Sequence, residues 1–159
     1  MAESELAPFK IWIDADACPV ALKEIVFKAA KRLRIQTFLV ANAQVRIPTS
    51  ELFSQILVPS GADKADKKIV EQMGATDLVI TADIPLAAEV VKKGGTAIGP
   101  RGEAFDDHTI GERLAVRNMM EQVRAAGVET GGPKPLNQKD IQAFANQLDR
   151  LLTRKLRGR

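Results

Sequence analysis

Five aspartates fall where apolar runs give way to helix-like segments. Asp14 and Asp16 follow Ile11-Trp12-Ile13, Asp63 and Asp66 come after Gln55-Ile56-Leu57-Val58, and Asp83 follows Leu78-Val79-Ile80-Thr81-Ala82. Carboxylates gathered in one place repel and resist ionisation unless a cation joins them, and an all-oxygen set suits Mg²⁺ or Mn²⁺. On an extended strand Asp14 and Asp16 would point the same way, roughly 6 to 7 Å apart, and would share an ion more easily through water than directly. Each acid also has a purely structural use. Asp83 before Ile84-Pro85 suits an N-cap, Asp63 completes a capping box with Ser60 and can pair with Lys67, and Asp66 suits a wet helix face. Asp16 could cap a helix that begins at Pro19, which leaves Asp14 without a local structural role.

Other candidates are weaker. His108 is the only histidine and has no cysteine or histidine partner for zinc. Cys18, the only cysteine, reads as a small buried apolar residue, since no general base is in view. Gly61, Gly94-Gly95 and Gly131-Gly132 form no phosphate-loop or dinucleotide fingerprint.

The elements that must position these acids alternate. Ile11-Trp12-Ile13 reads as a strand, and Pro19 suits the first turn of a helix over Val20 to Leu33. Strands follow at residues 35–41 and 55–58, with a polar loop from Asn42 to Ser50 between them. A helix opens near Ser60 and stops at Gly74, residues 77–82 form the most continuous apolar strand, and Pro85 to Lys93 make a short helix before a strand at residues 96–99. Pro100 to His108 reads as a polar loop. Thr109 and Glu112 form a second capping-box pattern for a helix to Ala126, Gly127 to Pro135 is turn-rich, and Asn137 caps a last helix. The pattern predicts an α/β fold of three layers, α/β/α, with a mainly parallel sheet and two long C-terminal helices packed on it. In a parallel sheet the strand-to-helix junctions share one edge, where ligands collect.

The 159 residues suit one domain, 1–159, and 45% hydrophobic with 27% charged residues is an ordinary globular composition. No apolar run reaches the roughly 18 residues of a membrane span, so no membrane partner is expected. The start Met1-Ala2-Glu3-Ser4-Glu5 has acids and no basic region before an apolar stretch, so no secretory signal is expected. With the single cysteine, this favours the cytoplasm. Of the net +3, residues 139–159 carry +4, making 137–159 a basic amphipathic helix. It could attract phosphate backbones, or be a solvated helix end where cations suit the dipole.

Asp14-Ala15-Asp16-Ala17-Cys18-Pro19, Gly61-Ala62-Asp63-Lys64-Ala65-Asp66, Thr81-Ala82-Asp83-Ile84-Pro85-Leu86-Ala87, Pro100-Arg101-Gly102-Glu103 and Thr130-Gly131-Gly132-Pro133 together resemble the YaiI/YqxD family of bacterial proteins over nearly the whole chain. That family is similar in turn to the PIN and NYN nuclease-like domains, which place acids at parallel strand ends around Mg²⁺ or Mn²⁺. The resemblance implies Asp14 as the first-strand acid, Asp66 as the helix acid and Asp83 as the acid of a Thr-x-Asp element beside Thr81. A further PIN-type acid has no clear motif here, and only Asp106 or Asp107 could stand for it. Arg46, Arg101, Arg113 and Arg117 could meet phosphates. The implied activity is Mg- or Mn-dependent phosphodiester hydrolysis, with RNA favoured, on an ion held by Asp14, Asp66 and Asp83 while Asp16 helps orient water. Two rivals stand beside it. One is a haloacid-dehalogenase-like phosphatase in which Asp14 attacks phosphate and Asp16 protonates the leaving group, although Cys18 departs from that pattern. The other is a non-catalytic RNA-binding or regulatory module that keeps the acids as helix caps.

Overall fold

All four residues of strand β1, Ile11–Asp14, are buried, and the sheet extends from it on both sides. The computed structural model describes residues 5–61, 63–129 and 134–157. Six strands lie in the order β3-β2-β1-β4-β5-β6, where β2 is Thr37–Ala41, β3 Phe53–Leu57, β4 Leu78–Ile80, β5 Thr96–Ile98 and β6 Ala104–Phe105. The first five strands are parallel and β6 alone is antiparallel. Ile11 pairs with Thr37 on one side and Leu78 on the other, so β1 and β4 run side by side and their carboxyl ends emerge together.

Side chains alternate across the sheet with the period of two that the pleat imposes. Ile11, Ile13, Leu39, Leu78 and Ile80 enter one core, with α1 (Val20–Leu33) and α5 (Gln138–Arg157) laid over it. Trp12, Val40, Val79 and Ala97 enter the other, beneath α2 (Lys64–Gln72) and α3 (Ile84–Lys92). Three layers result, as the alternation of strand and helix patterns predicts. Trp12 stacks on Phe38 at 4.7 Å between ring centroids. Among the described residues no helix is long and apolar enough to cross a membrane.

Several sequence expectations change. The helix α4 (Ile110–Ala125) does not join the sheet: none of its residues is buried, and it lies along α3. The supposed polar loop at 100–108 contains β6, whose two residues are too few to show any period. Ser60 and Asp63 make no capping box. Gly61 takes φ 135°, and Asp63 itself is the residue before α2, in the left-handed region at φ 69° with no capping bond from its side chain. Thr109 does not cap α4 with its side chain either; the Asp106 carboxylate accepts the amides of His108 and Thr109 instead. Two caps hold. Asp83 accepts from the Leu86 amide at 3.1 Å, and Asn137 and Asp140 exchange bonds at the start of α5. Lys155 is no solvated cation: half-buried, it donates to the Thr76 carbonyl and lies over Phe9. Met1 to Ser4, Ala62, the Thr130-Gly131-Gly132-Pro133 motif and Gly158-Arg159 lie outside the described residues.

At the amino edge of the sheet Asp77 is 2% exposed and accepts three hydrogen bonds, from the Lys10 amide, Trp12 Nε1 and the Gly74 amide. It ties the start of β4 to β1 and to the end of α2. A buried carboxylate held by donors is costly to remove because those donors stay buried and unpaired. Asp77→Ala is therefore expected to lower unfolding free energy by about 3 kcal/mol or more. Urea denaturation followed by Trp12 fluorescence measures this; a loss below about 1 kcal/mol would contradict the role.

Candidate active site

Asp14 is the last residue of β1, and Thr81 stands one residue beyond the end of β4. Because the two strands pair in register, these residues meet. The Thr81 hydroxyl donates to Asp14 Oδ2 at 2.9 Å, and Thr81 Oγ1 in turn accepts the Asp83 amide at 3.0 Å. One side chain thus sets the position of both acids. Asp14 is 8% exposed and Thr81 3%. Burial pushes the Asp14 carboxyl above its ordinary value, the Thr81 bond opposes that, and the charges of Asp83 and Asp16 add to the rise.

Asp66 lies in the first turn of α2 and interacts with both Asp83 and Asp14. Its carboxyl is pushed up to about 7, first by burial, then by the charge of Asp83 and a hydrogen bond with it, then by Asp14 and Asp63. A protonated Asp66 can donate to Asp83. The fold therefore brings together Asp14, Asp66 and Asp83, the three acids singled out above, with Thr81 beneath them. Among the described residues no three acidic, histidine or cysteine side chains form a ready-made metal cage. The donor chemistry nevertheless fits a hard divalent cation: the set is all carboxylate oxygen, with one oxygen of Asp14 and one of Asp83 already held internally. Softer ligands do not take part, since burial pushes the Cys18 thiol up to about 12.

The remaining candidates sort by position. Asp16 is not on an extended strand: residues Ala15–Ala17 form a 3-10 turn, and Asp16 is exposed and accepts the Asn42 amide at 3.0 Å. It anchors the loop after β2 instead of capping α1. Asp63 is exposed at the start of α2 and acts on Asp66 through its charge. Asp106 and Asp107 follow β6, which runs opposite to β5, so they belong to the other edge of the sheet, far from Asp14 in the fold's layout. Arg101 is bound to Asp140 and the Lys134 carbonyl, Arg113 to Glu103, and Arg117 to Glu121 at 3.0 Å. Arg46 borders an apolar groove with Val20, Phe27 and Pro48. Sequence reasoning missed the pairing of Arg113 with Glu103, which joins two separate segments and leaves no local spacing signal.

The class defined by these features is an α/β protein with a mostly parallel sheet and an acidic carboxyl edge. Residues 12–154 match the family described as "Uncharacterized BCR, YaiI/YqxD family", and the chain belongs to it. A UPF0178 protein of Hydrogenovibrio crunogenus is 56% identical over 149 residues, 94% of this chain and 99% of that one. One from Syntrophotalea carbinolica is 57% identical over 145 residues, 91% and 98% of the two chains. One from Pectobacterium atrosepticum is 52% identical over 143 residues, 90% and 95%. No solved structure matches.

The raised Asp66 value fixes a pH dependence. In metal-free protein the folded carboxyl keeps its proton up to about pH 7, whereas an ordinary one releases it near 3.8, so the folded state binds more protons between those values. The stability this proton contributes is fully present below about 3.8 and is lost as pH rises through about 7. Asp66→Asn, which keeps a donor and removes the charge, is expected to raise Tm by a few degrees at pH 8 in EDTA and by almost nothing at pH 4. Melting curves at the two pH values measure this; an equal gain at both would contradict the assignment.

Proposed function

We propose that the chain is a divalent-cation-dependent phosphodiesterase acting on RNA, with its centre at Asp14, Asp66 and Asp83. The observation that carries this is the Thr81 hydroxyl, which fixes Asp14 and the start of the Asp83 segment together at the carboxyl edge, next to an Asp66 whose proton affinity is raised first by burial and then by the neighbouring acids. A fold that gathers like charges bears a cost, and such sites are commonly functional. The PIN-like reading of the fold agrees with this placement.

In this reading Asp14 and Asp83 would hold the cation. Mg²⁺ or Mn²⁺ bound there supplies charge neutralisation at the phosphoryl oxygens and a lowered pKa for the attacking water. Thr81 keeps the Asp14 carboxylate in one orientation, and Asp66 takes up the proton released as water adds at phosphorus. The leaving oxygen departs with a proton from solvent. Asp16 and Asp63 supply further negative charge around the centre.

Cleavage of a fluorescently labelled single-stranded RNA with Mg²⁺ or Mn²⁺ tests the reading. Turnover should stop in EDTA and fall on the order of 10²-fold or more in Asp14→Asn and in Asp83→Asn, since cation stabilisation of the transition state is worth several kcal/mol. Thr81→Val should weaken cation affinity about 10- to 100-fold, while Thr81→Ser keeps it. Undiminished cleavage in the aspartate variants would overturn the proposal, and salt-sensitive RNA binding without cleavage would favour the non-catalytic module.

A further inference from the structure

A cleft of about 400 Å³ opens beside the acids, bounded by residues on both sides of Asp83, namely Ala82 and Ile84, and by Pro19 after the Asp16 turn. Its far wall is the turn between β5 and β6, which contains the Pro100-Arg101-Gly102-Glu103 motif that the catalytic reading leaves unused. This turn is rigidly placed. The Gly99 amide donates to the Glu103 carbonyl at 2.7 Å, and Arg101 is bound to Asp140 at the start of α5. Gly102 sits at φ 86°, and a Cβ there would fall 2.7 Å from the Ala143 carbonyl oxygen, so only glycine lets the turn rest against α5.

The lining is amphiphilic. Ile84, Pro100 and Leu136 give it apolar sides, and Arg101, Arg113 and Lys134 give it three cations against one acid, Glu103. The Arg113 guanidinium lies 5.6 Å from the Phe105 ring centroid and pairs with Glu103, so it is held in a fixed plane. Among the described residues the Lys134 ammonium has no carboxylate partner. A cleft with apolar sides and ion-paired guanidinium groups at its rim matches a ligand that carries both a ring and an anion. Its volume accommodates a single nucleotide and not a duplex. A base can enter only when it is unstacked, which is how single strands are recognised.

We propose that this cleft holds one nucleotide of a single-stranded nucleic acid, adjacent to the phosphodiester presented to the acids. The base lies between Ile84 and Pro100, and the phosphate faces Arg113 and Lys134. The substrate class rests on the hydrolase reading above; the binding site does not.

The test is a titration of the full chain with 5′-AMP in EDTA, followed by amide chemical shifts, with inorganic phosphate as a control. Saturable shifts should centre on Ala82, Ile84, Arg101 and Arg113, and Arg113→Gln should weaken binding at least about tenfold. Because Arg113 also holds Glu103, Lys134→Gln gives a second readout, a severalfold weakening in a variant that breaks no ion pair. A single-stranded oligonucleotide should displace 5′-AMP and a duplex of the same length should not. No saturable shifts, shifts centred on Arg150 and Arg154 of α5, wild-type affinity in both variants, or equal competition by duplex would overturn the inference. Cleft binding without cation-dependent cleavage supports this site and removes the hydrolase; cleavage with a silent cleft removes this site alone.

Discussion

The hydrogen bond from the Thr81 hydroxyl to Asp14 is the contact on which the acidic edge depends. It is possible only because β1 and β4 are direct neighbours in register, although Asp14 and Thr81 are 67 positions apart in sequence. The bond needs a dry setting to be worth much, and the sheet supplies one: Ile13 and Ile80 are at most 1% exposed just beneath it. The same burial raises the proton affinity of Asp14. Packing, then, both builds the site and makes its charges uncomfortable.

Asp77 provides the internal comparison. It too is buried against β1, at the opposite edge, yet its two oxygens accept three donors and have a structural purpose that those contacts explain. At the carboxyl edge one oxygen of each of Asp14 and Asp83 is held internally, while Asp66 has acids for neighbours. Two acidic environments in one sheet thus differ in their donors. One closes the fold, and the other gathers acids with fewer internal donors.

Much of this was legible in the chain. The β-branched and aromatic run at β1, the 3.6-residue spacing of α1 and the apolar run before Asp83 identify their elements because each carries its own period, and Asn137 before α5 is a local signal as well. What was not legible depends on partners distant in sequence. Asp16 looks like a second strand acid, but the chain tightens into a 3-10 turn after Asp14 and Asp16 bonds to Asn42. The box at Ser60 fails because Gly61 and Asp63 take positive φ before α2 begins. Asp106 and Asp107 carry no motif as a further acid, and the antiparallel pairing of β6 puts them at the other edge. Strand order and direction, which no local pattern states, decide which acids meet.

We propose that Asp14 and Asp83 hold one cation, with Asp66 beside it. Calorimetric titration of purified protein with Mn²⁺ at pH 8, wild type against Asp14→Asn, tests it most directly. Saturable binding in the wild type should be lost or weakened at least about tenfold in the variant, as removal of a held carboxylate requires. No binding in the wild type, or equal binding in a folded Asp14→Asn, would contradict it.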